Sequence, residues 1–241
     1  MLYLIGLGLD KKDISLKALE TLKQCKLVYL ETYTNAMPFS IKEIEKIIKR
    51  KIIPADRKLV EEKSEILENA KKKKVALLVS GDPLAATTHI DLILRAKKMK
   101  IKTKTIHSAS IFTAIADTGL QLYKFGKIAS IAKWQPNFRP DSFYDIIKGN
   151  DSIDAHTLIL IDIGLSVKEA LGYLDSIAKA RDPGFLERKI VVCEQLGAKN
   201  QKFFVGKLAT LINKKHKLPA CVIVPSLKLH FMEEEALSKF A

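Results

Sequence analysis

The feature that most constrains this chain is a repeating alternation over its first 106 residues, in which short apolar runs are separated by segments with helical spacing of apolar residues. Leu2–Ile5 reads as a strand ending in Gly6-Leu-Gly8. Asp13 or Ser15 can cap a helix that carries Leu16, Leu19 and Leu22 on one face. Lys26–Leu30 is a second strand, and Ser40 to Arg50 predicts a helix with Ile41, Ile44 and Ile48 as its stripe. A short strand at Ile52-Ile53 is ended by Pro54, and a charged helix follows from about Leu59 to Lys73. Val75–Val79 is a buried strand running into Ser80-Gly-Asp-Pro83. A helix through Ile90, Leu92, Leu94 and Ala96 and a strand over Lys102–Ile106 complete the series. Strands joined by helices form a parallel sheet covered by helices.

The second half has a different rhythm. Residues 128–131, 158–163, 190–193, 202–205 and 221–224 read as strands, with helices near 110–116, 141–147, 167–180 and 233–240. Two closely spaced strands at 190–193 and 202–205, joined by a polar loop, predict a hairpin and so a mixed sheet. The expected fold class is α/β with two α/β/α domains, over 1–110 and 111–241, the first sheet mostly parallel and the second mixed. The soft boundary lies near 107–125, without a low-complexity linker and without an internal repeat. A length of 241 residues supports this with a sizeable core.

Composition sets the remaining bounds. No apolar run approaches the roughly 20 residues that span a bilayer, and Met1–Gly6 lacks the basic region of a signal peptide, so a cytoplasmic protein without a membrane partner is expected. Cys25, Cys193 and Cys221 are widely spaced among apolar residues, so they read as buried small hydrophobes and no metal site is expected. The net charge of +14 comes from 41 basic residues, of which only six are arginine. Phosphate forks and base readers favour arginine, and Lys42, Lys46 and Lys49, or Lys71 to Lys74, lie on helical faces. Solvated faces are therefore the preferred reading. An acidic or nucleic-acid-bearing partner is the competing one.

Two glycine turns carry the functional signal. Gly6-Leu-Gly8 between a strand and a helix resembles the start of a dinucleotide fingerprint, and Glu31 ends the second strand where a ribose-binding acid would stand. Lys11, however, occupies the third glycine position, which exists for close helix–strand packing. A nicotinamide enzyme is accordingly a minor reading, and a tight turn explains the two glycines. Gly81-Asp82-Pro83 is sharper. Glycine permits an unusual dihedral, proline fixes the next, and Asp82 between them is held at the carboxyl end of a strand, where ligands of open α/β sheets bind.

Several segments, in order, extend this over nearly the whole chain: Tyr3-Leu-Ile-Gly6-Leu-Gly8-Leu, Glu31-Thr-Tyr-Thr34, Gly81-Asp-Pro-Leu-Ala-Ala-Thr-Thr-His89, His107-Ser-Ala-Ser-Ile111, Gly119-Leu-Gln-Leu-Tyr-Lys-Phe-Gly126 and Leu227-Lys-Leu-His230-Phe. Together they resemble the diphthine synthases, within the wider class of tetrapyrrole methylases. The Thr-Thr-His and Tyr-Lys-Phe-Gly segments are the more specific. The resemblance implies an enzyme of two α/β/α domains with S-adenosylmethionine in the cleft between them, and a homodimer. It implies methylation of the amino group on the 3-amino-3-carboxypropyl histidine of translation elongation factor 2. Archaeal-type members give the trimethylammonium product diphthine, and eukaryotic-type members also methylate the carboxylate. No direct nucleic-acid partner is expected.

The resemblance also implies cofactor contacts. Leu9 would approach through its backbone, Asp82 and Ala85 belong to the second turn, and Ser110 and Ile111 open a helix whose free N–H groups could meet the methionine carboxylate. Ile161, Leu196 and His230 complete the set. Apolar walls suit an adenine ring. Two segments depart from the family's pattern. Gly164-Leu-Ser-Val-Lys168 passes directly to a helix where a longer basic and aromatic stretch is usual, and Trp134-Gln-Pro136 stands where a different proline-containing loop is expected. No catalytic residue is assigned. His107 and Asp162 are candidate proton acceptors, each with a structural alternative in hydrogen bonding, while His89, His156 and His216 read as local or structural groups. The alternatives are a tetrapyrrole methylase, whose cleft would hold a flat polyanion, and a non-catalytic basic module binding RNA or the ribosome.

Overall fold

Five of the apolar runs in the first half pair side by side in the computed structural model, which describes residues 1–34 and 36–240. The chain divides into two units, Met1–Phe112 and Thr113–Ala241. The first runs β1 (Leu2–Gly6), α1 (Leu16–Gln24), β2 (Leu27–Glu31), α2 (Ile41–Ile48), β3 (Ile53–Ala55), α3 (Glu65–Lys72), β4 (Val75–Val79), α4 (Ile90–Lys98) and β5 (Thr103–Ile106). The strands lie in the order β3-β2-β4-β1-β5, all parallel. Every residue of β1 and β4 is buried, because both faces of the sheet are covered, which is why these strands read as unbroken apolar runs. Leu2, Leu4, Leu77 and Val79 pack with α3 and α4 through Ile66, Leu67, Leu92 and Ala96. Tyr3, Ile5, Ala76 and Leu78 point the other way, toward Leu22 of α1 and Ile44 and Ile48 of α2.

Local chemistry sets the element ends. Ser15 caps α1 by accepting from Ala18 N at 3.1 Å. Asp13, the other candidate cap, folds back onto the first glycine turn. The buried face of α1 is Ala18 and Leu22, and Leu16 is 79% exposed. Ser40 and Glu43 form a reciprocal capping box on α2. Pro54 lies inside β3 rather than ending it. Strand β3 is at the sheet edge, where the missing N–H costs no ladder bond. The expected long charged helix is broken: a π-helical turn over Lys58–Glu62 precedes extended Lys63, and α3 starts afresh at Glu65. In α4 the buried residues are Leu92, Ile93 and Ala96, with Ile90 and Leu94 outside.

A single-turn helix α5 (Ile111–Ala114) leads into the second unit. That unit contains β6 (Ala129–Ile131), α6 (Ser142–Asp151), β7 (Thr157–Ile161), α7 (Val167–Arg181), β8 (Lys189–Glu194), β9 (Lys202–Lys207), α8 (Leu208–Ile212), β10 (Ala220–Val224) and α9 (Phe231–Ser238). The strand order is β6-β7-β10-β8-β9, with β6–β7 parallel and the other pairings antiparallel. The mixed sheet and the β8–β9 hairpin agree with the sequence reading. Its core gathers Ile159, Val192 and Val222 of the sheet with Phe143, Leu171, Leu174, Phe185 and Leu211. All three cysteines are buried and free.

Candidate active site

The carboxyl ends of β1, β4 and β5 meet in one knot of main chain. Gly8 and Gly81 exchange backbone hydrogen bonds, Gly8 N to Gly81 O at 3.2 Å and Gly81 N to Gly8 O at 2.8 Å. The approach needs glycine. A Cβ on Gly6 would stand 2.6 Å from Gly81 O, and one on Gly8 (φ +77) would stand 2.2 Å from Asp13 Cβ. Asp13 Oδ2 accepts from Leu9 N and Asp10 N, both at 2.9 Å. The N–H of Leu9 is thus engaged inside the loop, which leaves its carbonyl and side chain as the groups to offer a ligand.

Asp82 ties the second turn to the end of β5. Its Oδ2 accepts from His107 Nδ1 at 2.8 Å and from Ser108 N at 3.1 Å, and its Oδ1 accepts from Leu84 N at 2.9 Å. His107 is therefore the hydrogen-bonded group that its place at a strand end suggests. Ala85 closes the turn by donating its N–H to Asp82 O at 3.2 Å. Ser110 is buried and its Oγ accepts from Phe112 N at 3.2 Å. Ile111 is half-buried at the start of α5.

The Thr-Thr-His segment holds this turn from behind. Pro83 O accepts from Thr87 Oγ1 at 2.6 Å and lies 3.1 Å from His89 Nδ1. A carbonyl can only accept, so Nδ1 carries the ring proton. Burial pushes the His89 pKa down against the opposing pull of Glu31, and the ring packs edge-on against Tyr33. Glu31 is buried, and its carboxylate accepts from Tyr33 N, Thr34 N and Thr34 Oγ1. These bonds organise the Glu31-Thr-Tyr-Thr34 turn, a structural use for the residue a ribose-binding reading would have claimed.

In the second unit, Ile161 ends β7 half-buried, Leu196 is buried just past β8, and His230 is exposed at the start of α9. His230 Nδ1 accepts from Met232 N at 3.3 Å. Asp162 accepts from Ile163 N at 2.8 Å and Lys133 N at 3.3 Å, the backbone alternative to a catalytic role. The short segment after it closes tightly, with Gly164 at φ +78 and Ser166 and Glu169 forming a capping box on α7. Trp134 is likewise fixed, stacked on Tyr173 at 4.0 Å and donating Nε1–H to Pro140 O at 3.1 Å.

Sequence reasoning missed the organising residue of this unit, Glu233. Its side chain is fully buried. Oε1 accepts from Gln121 N and faces His156 Nε2, each at 2.9 Å. Oε2 accepts from Lys124 Nζ at 2.6 Å and His230 N at 2.9 Å. Ser226 N donates to His156 Nδ1 at 2.8 Å, so the proton of that imidazole sits on Nε2, toward Glu233. Burial alone would raise the Glu233 pKa. The N–H of Gln121, the Lys124 ammonium, the N–H of His230 and His156 outweigh it and hold the value at about 2. The Tyr-Lys-Phe-Gly and Leu-Lys-Leu-His segments, distant in sequence, are thus joined on one carboxylate. Gly126 belongs to the same construction, since a Cβ there would stand 2.3 Å from Asn150 Oδ1.

The edge at Gly81 can accept a ligand. A Cβ on Gly81 (φ +74) would enter open space, its nearest neighbour being Ala109 O at 4.0 Å. Exposed Leu84 and half-buried Ala85 lie on the same turn, and half-buried Ile111 opens α5 after the neighbouring strand. Open space over a glycine, flanked by apolar side chains, fits a nucleoside with a small zwitterionic tail. Among the described residues no group of three or more His, Cys, Asp or Glu is placed to hold a metal ion. No helix among them is long and apolar enough to cross a membrane.

Comparison with known proteins gives a consistent result. The family model for tetrapyrrole (corrin/porphyrin) methylases matches residues 1–212. The diphthine methyl ester synthase of Schizosaccharomyces pombe is 40% identical, over 100% of this chain and 94% of that protein. The diphthine synthase of Methanococcus maripaludis is 39% identical, over 98% of this chain and 97% of that protein. A crystal structure of diphthine synthase superposes with a TM-score of 0.90 at 37% identity, covering 100% of this chain and 96% of that one.

Proposed function

We infer, from the premise that this chain belongs to the tetrapyrrole methylase family and is an S-adenosylmethionine-dependent methyltransferase of the diphthine synthase type, that it methylates the amino group of the 3-amino-3-carboxypropyl histidine of translation elongation factor 2. The full-length likeness to diphthine synthases carries this reading. The open main-chain edge at Gly81 supports it.

Bound S-adenosylmethionine supplies a methyl group activated on a sulfonium, so the protein's task is binding and orientation. Leu9, Asp82, Ala85, Ser110 and Ile111 of the first unit are the proposed contacts, with Ile161, Leu196 and His230 of the second completing them. Asp82 acts by holding its turn against His107 and Ser108. Orientation alone supplies about 7–11 kcal/mol of the barrier in favourable cases. The accepting amine must be neutral. His107 and Asp162 both have structural partners, and the reading assigns neither as a base. The amine gives its proton to solvent before it binds.

The enzyme works in the cytoplasm as a homodimer. Exposed Leu122, Tyr123, Leu227, Phe231 and Met232 lie on segments anchored by Glu233, and offer an apolar surface for a second copy to cover. A second reading adds a methyl to the carboxylate of the same substrate, favoured by the 40% identity to a diphthine methyl ester synthase.

The test uses radiolabelled S-adenosylmethionine and elongation factor 2 bearing the aminocarboxypropyl histidine. Label should enter the factor and resist mild alkali, which removes only a methyl ester. Asp82→Ala should weaken labelling through a raised cofactor KM. Absence of label in the factor would end the assignment, and label in a tetrapyrrole would replace it with the other branch of the family.

A further inference from the structure

The positive charge is unevenly divided. Residues 1–112 hold 23 Lys and Arg against 13 Asp and Glu, net +10, while residues 113–241 hold 18 against 14, net +4. The topology of the first unit gathers much of this excess. In a parallel sheet every strand starts at the same edge, so each helix-to-strand loop returns there. Those loops are where the lysines are.

Hydrogen bonds fix the loops beside one another. Ahead of β3 come Lys49, Arg50 and Lys51, and Arg50 Nη2 donates to Cys25 O at 2.5 Å in the loop ahead of β2. Lys26 N in that loop donates to Lys74 O at 2.8 Å, the last residue of the Lys71–Lys74 run ahead of β4. The N-terminal ammonium, ahead of β1, donates to Lys73 O at 3.1 Å. Leu2 N donates to Lys102 O at 2.9 Å, ahead of β5. The result is a continuous row across the whole sheet. Four strand gaps of about 4.8 Å make it about 19 Å long. At the β3 end it opens into a groove of about 450 Å³ lined by Lys42, Lys46, Lys49, Arg50 and Lys51 with Glu45.

The row is poorly neutralised. Lys71 pairs with Glu68 at 2.9 Å and Lys51 with Glu45 at 3.8 Å. Among the described residues, Lys26, Lys49, Lys72, Lys73, Lys100 and Lys102 form no ion pair, and all six are exposed. The row lies at the opposite end of the same strands from the glycine turns, so the proposed cofactor edge has no use for it. A protein interface draws on an apolar and aromatic centre. Here the exposed large apolar side chains on the elements of the row's β3 end are Ile47 and Ile53, and neither is aromatic. Evenly spread lysines suit phosphates, each met as a point charge.

We propose that this row binds the phosphate backbone of a duplex nucleic acid without reading its sequence, contrary to the expectation drawn from the family resemblance. One strand of a B-form duplex presents a phosphate about every 3.4 Å of axis, so the row spans roughly five to six of them. Lysines that meet only the backbone position a partner and carry no base information.

The test is fluorescence anisotropy of a labelled duplex RNA against the full chain over a salt series. Affinity should fall linearly on logarithmic axes and be the same for duplexes of different sequence. A fourfold variant, Lys72→Gln, Lys73→Gln, Lys100→Gln and Lys102→Gln, should lower the slope in proportion to the number of phosphates it no longer neutralises. A control with the same charge change in the second unit, Lys168→Gln, Lys189→Gln, Lys199→Gln and Lys239→Gln, should keep the wild-type slope. Circular dichroism melts of both variants establish that they are folded. An equal fall in slope for the control, or tighter binding of poly-glutamate than of RNA, or no RNA binding at low salt, would each overturn the proposal.

Discussion

At Gly6 and Gly81 the same substitution should have opposite signatures. An alanine methyl at Gly6 meets the Gly81 carbonyl at 2.6 Å, a backbone atom that cannot step aside alone. Gly6→Ala should therefore part the strand ends and cost about 1–3 kcal/mol of stability, read as a lowered denaturation midpoint. At Gly81 the methyl has room, and only the left-handed φ of +74 opposes it, worth about 1–2 kcal/mol. Yet that methyl fills the space proposed for the cofactor. Gly81→Ala should thus weaken S-adenosylmethionine binding at least about tenfold, equivalent to about 1.4 kcal/mol, in calorimetry on a protein that is still folded. Unchanged affinity would remove the cofactor from this edge. Glu233 offers a pH test. Its pKa is depressed from 4.5 to about 2 in the folded chain, so its contribution is complete above 4.5 and is lost as pH falls toward 2. Glu233→Gln removes the carboxylate facing the Lys124 ammonium and leaves it only the Lys228 carbonyl. It should cost about 3–5 kcal/mol at neutral pH and flatten the acid limb of the stability profile.

Helix α2 shows how much of an element the sequence can announce. Ser40 and Glu43 mark its start, Ile44 and Ile48 its buried face, and Lys49 in the left-handed region its end. Ser40→Ala should cost about 1 kcal/mol, measured by chemical denaturation. β4 and the hairpin β8–β9 were equally legible, since burial on both faces and a polar two-strand spacing leave plain patterns. Other features were hidden for physical reasons. Pro54 reads as a strand end until β3 is known to be an edge. The π turn at Lys58–Glu62 keeps helical periodicity while interrupting the helix. α8 is five residues long, too short to show a stripe. In the site, the glycine turns announced themselves through residues that only tight chain approach requires. Glu233 did not, because its partner Gln121 lies 112 residues away. Locally only its place three residues after the N-cap His230 separates it from Glu234 and Glu235, and histidine is not a residue that usually announces a helix start.

At the scale of the molecule, the first sheet is polarised. Its central strands β1 and β4 end in glycine turns, and its strands begin in loops that present lysine. The turn around Asp82 is held by the protein's own hydrogen bonds from His107, Ser108 and Leu84, so the proposed donor site is preorganised and binding should need little loop ordering. The most direct test is hydrogen–deuterium exchange of the full chain with and without S-adenosylmethionine. The account predicts slowed exchange in peptides covering residues 6–10, 81–85 and 108–111, with smaller effects near 161, 196 and 230. Protection confined to other segments, with the three glycine-turn and strand-end peptides unchanged, would contradict it.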